Sequence, residues 1–198
     1  MPADVLDTLV GITEGSPVDL IRRRRPVTRD HAQGSWLALF APEVLGTFLL
    51  KERYAVSLFV VAVSGDSLAE GFYRAGLLGE GGGDWAGALD QAVEAGRTQG
   101  PYGRWAHHAD LAAEGTDGLR YRVTADLRAK LGVRLAAALD HAHLLVFRPR
   151  EASQADLETL LDAGWSATDV VTLSQLVAFL TFQLRVAAGL RVLKESIR

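Results

Sequence analysis

The chain has 198 residues, of which 48% are hydrophobic and 23% charged, and its formal net charge at pH 7 is −3. This length suits one domain, or one domain with a small appendage, and can bury a proper core. The charge gives no reason to expect binding to nucleic acid or acidic membranes. Cysteine is absent, which excludes disulfides, thiolate metal sites, iron–sulfur clusters and thiol nucleophiles.

Apolar residues recur mostly at spacings of three and four, which predicts helices along the chain and an all-α fold. A short helix is predicted over residues 4–12. A second begins at a Ser16 cap and ends near Arg25, because the next residue is proline. Thr28 is expected to cap a third helix that runs to about Phe40.

The mostly apolar stretch 49–63 fits a buried strand or a buried helix, and periodicity alone does not separate them. Its helical neighbourhood favours a helix. A further helix is predicted over residues 67–78, and Asp84 is expected to cap another over 85–95.

After turn-rich segments, helices are predicted over 125–147, 154–163 and 168–193. Gly164 is a natural helix terminator, and Asp169 lies favourably near the positive end of the last helix dipole. The last helix is apolar nearly all round, which indicates that it is central to the core or shared with another subunit.

Polar residues interrupt the most apolar region, which argues against a membrane-spanning helix. These residues are Thr172, Ser174, Gln175, Gln183 and Arg185. The N-terminus lacks the basic start and long apolar stretch of a secretory signal. We therefore expect a cytoplasmic protein without a membrane partner.

Two regions carry a family resemblance: KERYAVSLFVVAVSGDSLAEGF at 51–72 and LETLLDAGWSATDVVTLSQLVAFLTFQLRVAAGL at 157–190. Together they resemble the alkylhydroperoxidase D-like and carboxymuconolactone decarboxylase superfamily. The similarity covers about residues 35–193 and lies mainly in the order of helices. It implies an alkylhydroperoxidase D-like helical bundle over 35–198, with residues 1–34 as an N-terminal helical extension.

Peroxidase members of that family carry a glutamate, a Cys-x-x-Cys pair and a histidine at fixed spacing. Glu52 matches the glutamate, but Ser64 and Ser67 stand at the cysteine positions and Gly71 at the histidine position. Asp66 lies where some members place another proton-relay histidine. Because serine cannot enter a disulfide, the dithiol peroxidase mechanism is excluded.

The two serines also have structural interpretations. Ser67 and Glu70 fit a capping box at a helix start, and Ser64 beside a glycine fits a helix terminus. Glu52 has two open interpretations: a half-buried carboxyl that acts as a general acid or base, or a surface carboxylate paired with an arginine of another helix.

His141 and His143 point to nearly opposite sides of a helix, so they should not chelate one metal, and only one is expected to face the interior. For His141 we favour a hydrogen-bonded core residue over a catalytic one. His107 and His108, beside Trp105, fit a pocket entrance or an exposed pair. No metal site or cofactor is expected.

The run of four arginines at 22–25 fits a phosphate or carboxylate site, but a solvated face or a salt-bridge patch between subunits is commoner. The glycine run at 81–83 lacks a following lysine and a preceding strand, so it is a poor phosphate-binding loop.

Two functional hypotheses follow. In the first, Glu52 with His141 or His107 moves protons on a small lactone or related organic acid. In the second, the chain is a non-catalytic oligomer that keeps the fold for ligand binding or scaffolding. The resemblance and the apolar last helix both suggest self-association as a dimer, trimer or hexamer.

Overall fold

The computed structural model describes residues 4–105 and 109–197, which form an all-α fold without a strand among them. The helices of this described part are α1 (Val5–Val10), α2 (Pro17–Arg23), α3 (Pro26–Phe40), α4 (Leu50–Val63), α5 (Ser67–Gly79), α6 (Gly83–Gly96), α7 (Ala125–Leu131), α8 (Val133–Phe147), α9 (Gln154–Asp162) and α10 (Ala167–Ser196). An isolated antiparallel bridge joins Gly103 to Thr116 in the loop before α7.

Helix α4 is the centre of the hydrophobic core. Every residue from Ala55 to Ala62 is fully buried, and the helix packs against α5, α6, α8 and α10. A helix that is enclosed on all sides needs no polar face, which is why its sequence resembles that of a buried strand. The prediction of a helix over this stretch is confirmed.

Helix α10 is the longest described helix, with 30 residues. Leu173, Leu176 and Leu180 are fully buried on one side, whereas Phe182 and Val192 are exposed. By length and composition it is the one helix in the described residues that could cross a bilayer, but a core helix of a soluble protein passes the same test. One face of α10 therefore belongs to the core, and its other side carries exposed apolar groups.

The single helix predicted over 125–147 is wrong, because the structure divides it into α7 and α8. Gly132 lies between them with φ +85° and ψ 154°, a conformation that is almost restricted to glycine. The break brings Arg134 into the first turn of α8.

Two predicted helix caps are also wrong. Helix α3 begins at Pro26, two residues before Thr28, and has no side-chain cap; proline at the first helical position needs no N–H partner. Helix α6 begins at Gly83, so Asp84 lies inside its first turn, where it pairs with Lys51 at 2.9 Å.

Residues 4–34 pack into the same hydrophobic core as the later helices. Val5, Leu6 and Leu9 of α1 belong to this core, and α1 packs against α10. Helix α3 runs without interruption across residue 34. The segment is therefore a packed part of the bundle.

The arginine run at 22–25 is divided by burial. Arg22 is buried and bonds the carboxylates of Asp4 and Asp7, which tie α2 to α1. The last two arginines of the run are exposed. One part of the run thus forms an internal salt-bridge patch, and another forms a solvated face.

Replacement of Gly132 by alanine should lower the free energy of unfolding by about 1–3 kcal/mol, because a Cβ is strained in this backbone conformation. The control is Gly71→Ala inside α5, where an added Cβ meets no atom within 4 Å and should stabilise the helix by about 0.5–1 kcal/mol. Urea denaturation measures both. Equal effects of the two substitutions would contradict the role given to Gly132.

Candidate functional site

The turn between α4 and α5 contains the two serines at the family's cysteine positions. Helix α4 ends at Val63, and the Ser64 hydroxyl donates a hydrogen bond to the Val60 carbonyl at 2.7 Å. Gly65 follows with φ +80°. Ser64 therefore terminates a helix, in agreement with its structural interpretation.

Asp66, and not Ser67, caps helix α5. Its carboxylate accepts a hydrogen bond from the Ala69 backbone N–H at 3.0 Å. Ser67 is already the first helical residue and is exposed. The predicted capping box of Ser67 and Glu70 is therefore wrong: an aspartate one position earlier takes the capping role, for which it is at least as well suited as serine.

Asp66 also forms an ion pair with Arg191 of α10. The shortest contact, from Nη1 to Oδ2, is 2.6 Å, and Arg191 Nη2 also donates to the Leu9 carbonyl at 3.3 Å. Burial alone would raise the pKa of Asp66, but the hydrogen bonds from Arg191 and Ala69 outweigh it and lower the pKa. Asp66 is therefore a charged residue that ties the turn to α10.

A cleft of about 680 Å³ lies beside this turn, and we name it the motif cleft. It is lined by residues 63–68, by the segment 98–101 and by one side of α10. Its lining combines apolar groups with hydroxyl, amide and charged groups; representatives are Val63, Phe147, Leu184, Ser67, Gln99 and Arg185. Such a mixture suits a small ligand with a polar group and an apolar body.

The charges along the motif cleft leave one cation without a counter-ion. Asp66 and Arg191 neutralise each other. Arg185 is exposed and lines the cleft, and within the described part of the chain no hydrogen bond or ion pair engages its side chain. The cleft is therefore suited electrostatically to an anion.

Glu52 is buried and both of its carboxylate oxygens are engaged. Oε1 accepts from Arg134 Nε at 2.8 Å, and Oε2 accepts from the Leu49 backbone N–H at 3.1 Å. Of its two interpretations, the structure therefore shows the ion pair with an arginine of another helix, although the carboxylate is buried rather than on the surface. A catalytic role for Glu52 stays a prediction.

Arg134 connects Glu52 to the start of α10. Its Nη1 donates to the Gly164 carbonyl at 2.5 Å, its Nη2 lies 3.6 Å from Asp169, and its guanidinium lies 4.0 Å from the Trp165 ring centroid. One side chain thus joins the first turns of α4, α8 and α10.

The prediction that only one of His141 and His143 faces the interior is wrong. Their exposures are 4% and 1%, because α8 packs against other helices on several sides. His141 Nε2 lies 3.4 Å from Ser174 Oγ, while its Nδ1 is buried without a partner. Burial lowers the pKa of His141, so this imidazole is neutral.

His143 lies in an aromatic and backbone environment of its own. Its Nε2 donates to the Gly96 carbonyl at 2.9 Å, and its ring centroid lies 4.7 Å from those of Tyr121 and Phe147. Burial lowers the pKa of His143 to about 4. His143 is therefore a structural residue that connects α8 to the end of α6.

The proposed catalytic pair is not brought together in either large cleft. Neither Glu52 nor His141 lines the motif cleft or the other large cleft, which lies between α3 and α10. Trp105 is partly exposed beneath the Arg150 guanidinium, 4.9 Å from its ring centroid. His107 and His108 lie outside the described residues, so the pocket suggested there stays a prediction.

Sequence reasoning missed the two arginines that define the motif cleft. Arg185 and Arg191 both line the cleft, with Ala188 between them, but at six residues apart they differ by about 120° in direction around the helix. Their spacing is therefore only a weak sequence signal. Arg134 has no local signal, since its partners are far away in the sequence.

No cluster of histidine, aspartate and glutamate in the described residues has the arrangement of a metal site. Comparison of the chain with protein-family models, with curated proteins and with solved structures finds no match. The case for a function therefore depends on the geometry of the chain.

The Glu52→Gln variant should lose about 2 kcal/mol of unfolding free energy, because it leaves the Arg134 guanidinium without its nearest counter-ion. The control is Lys130→Ala, which removes an exposed pair with Asp126 and should cost less than about 0.5 kcal/mol. Chemical denaturation at pH 7 gives both values. If Glu52→Gln lowers the unfolding free energy by as little as the control does, the Glu52–Arg134 pair does not stabilise the fold.

His143 should make stability depend on pH. Its pKa is below that of an unfolded histidine, so protons bind the unfolded state first and stability falls as the pH drops from about 6.5 towards 4. The unfolding free energy should fall between pH 7 and pH 5, and His143→Gln should make this fall smaller by about 1–2 kcal/mol. Urea denaturation at both pH values measures it, with His31→Gln at an exposed site as the control. An unchanged pH slope would contradict this role.

Proposed function

We propose that this chain is an alkylhydroperoxidase D-like helical bundle without a thiol redox centre, and that it binds a small organic acid in the motif cleft. The two regions of resemblance lie in helices α4, α5, α9 and α10, as a helical bundle requires. The cleft lies at the positions where the family carries its cysteines. Loss of sulfur removes electron transfer but leaves a binding site in place.

The observation that carries this proposal is the unpaired guanidinium of Arg185 at the edge of a partly apolar cleft. A carboxylate can accept charge-assisted hydrogen bonds from it, while the apolar walls cover the remainder of the ligand. The volume of about 680 Å³ lies in the range of small-molecule sites. Ser67, Thr98 and Gln99 offer further polar partners in the cleft.

A second candidate function is acid–base chemistry on a small lactone or organic acid. One observation favours it: His141 is a neutral imidazole whose Nδ1 is buried without a partner. Glu52 would first have to leave Arg134 to take part. Non-catalytic binding needs no such rearrangement and is the better-supported function.

We also propose that the protein is cytoplasmic and self-associates as a dimer, trimer or hexamer. The exposed apolar side chains of α10, among them Val171, Phe182 and Val192, support self-association. Light scattering at micromolar concentration decides the oligomeric state, and a monomer would end this part of the proposal.

The binding proposal is tested with phenylacetate, which combines a carboxylate with a small apolar body. Arg185→Gln should weaken its binding about fivefold, because it removes about 1 kcal/mol of interaction with the carboxylate. Isothermal titration calorimetry measures the dissociation constant. The control variant is Arg24→Gln, an exposed arginine outside the cleft, which should leave binding unchanged.

Phenylacetamide is the control ligand, since it has the same shape without the charge and should bind more weakly than phenylacetate. Equal loss of binding in the Arg185 and Arg24 variants, or equal affinity for acid and amide, would overturn the proposed recognition of an anion.

A further inference from the structure

A second cleft, of about 740 Å³, lies between the end of α3, the segment 42–46 and the first half of α10. We name it the α3–α10 cleft. It shares no lining residue with the motif cleft. Leu39 is buried within it, whereas Val44 and Phe182 are exposed at 84% and 43%. Its walls are therefore more apolar than its floor, where charged groups lie.

Arg53 forms part of that floor and is 4% exposed. Its guanidinium donates to three backbone carbonyls, of Leu39 at 2.6 Å, Phe48 at 3.0 Å and Leu45 at 3.1 Å. A guanidinium has five N–H donors, so these bonds leave two without a partner among the described residues. Burial lowers the pKa of Arg53, in keeping with the absence of a bonded carboxylate.

The charge of Arg53 is balanced within the same cleft. Asp169 also lines it and is 5% exposed. Its carboxylate accepts a hydrogen bond from the Thr47 hydroxyl, and its backbone N–H donates to Ser166 Oγ at 3.1 Å. Burial acts to raise the pKa of Asp169, but its interactions with Thr47, Ser166 and Arg134 outweigh burial and lower the pKa. Asp169 therefore stays ionised, and an anionic ligand would meet a negative charge beside the positive one.

We propose that the α3–α10 cleft is a second small-molecule site, which binds an uncharged carbonyl compound with an apolar body, such as an ester. The carbonyl oxygen accepts a hydrogen bond from the spare donors of Arg53, and the body packs against Phe179 and Phe182. A neutral acceptor satisfies a buried donor without the repulsion that Asp169 imposes on an anion. The two clefts thus differ in the charge of the ligand that each accepts.

The test uses methyl phenylacetate, the ester of the acid chosen for the motif cleft. Titration followed by two-dimensional NMR should move the amide signals of residues 42–46 and of the first half of α10. Phenylacetate at the same concentration should instead move signals of residues 63–68. Because the two ligands are read at separate sites, failure of one proposal does not entail failure of the other.

Two variants at exposed apolar residues complete the test. Phe182→Ser should weaken binding of the ester about tenfold through loss of apolar contact, and Leu161→Ser in α9, at a residue that is 46% exposed outside the cleft, should have no effect. Neither replaces a buried residue, so both should fold. Arg53 itself is left unchanged because its bonds also hold the loop before α4.

The results distinguish three occupants of the α3–α10 cleft: an ester, an acid and a second copy of the chain. Ester binding at residues 42–46 that Phe182→Ser weakens supports the proposal. Tighter binding of phenylacetate than of its ester at this cleft would overturn the argument from charge. Absence of ester binding, with a fall in molecular mass of the Phe182→Ser variant by light scattering, would also overturn it and show that a second copy of the chain covers the cleft.

Discussion

The ion pair of Arg134 with Glu52 fixes one end of the bundle, and the ion pair of Arg191 with Asp66 fixes the other. The first holds the start of α4 beside the start of α10, with α8 between them. The second holds the turn after α4 beside the last part of α10. Helices α4 and α10 therefore run in the same direction, and each end of this pair borders one of the two large clefts. Ion pairs hold α4 and α10 together at their ends, and apolar packing holds them together in between, where α4 is fully buried.

The positions that the sequence resemblance aligns with a redox motif have structural roles in this chain. Ser64 ends a helix, and Asp66 begins the next one while it binds Arg191. Gly71, at the family's histidine position, has open space around it. Cysteines placed at the two serine positions would find no histidine among the described residues that line the cleft, and would stand beside a carboxylate that is already paired. A thiolate is activated by positive neighbours, and Arg191, which lies beside this turn, is already paired with Asp66.

Periodicity predicted the helices well because a 3.6-residue repeat depends on burial of each helix face alone. The first residues of the helices were harder to predict. Helices α3 and α6 begin at Pro26 and Gly83, before Thr28 and Asp84, which were expected to cap them. At the candidate site, an ion pair between Glu52 and some arginine was one of the two interpretations. Which arginine it is could not be predicted, since Arg134 is 82 residues away. The motif cleft depends likewise on contacts between remote segments, which a single sequence does not reveal.

The final helix also closes the N-terminal end of the fold. Lys194 donates to the backbone carbonyls of Val10 and Gly11, 184 and 183 residues away, and α10 contacts α1, α2, α3, α4, α8 and α9. Contacts between such distant parts of a chain form slowly because a long loop must close first. During synthesis, the emerging helices lack their central partner until α10 has been made, and the apolar surface of α4 stays uncovered on that side. This arrangement therefore bears on how fast the chain folds and on how long its apolar surface stays exposed, as well as on final stability.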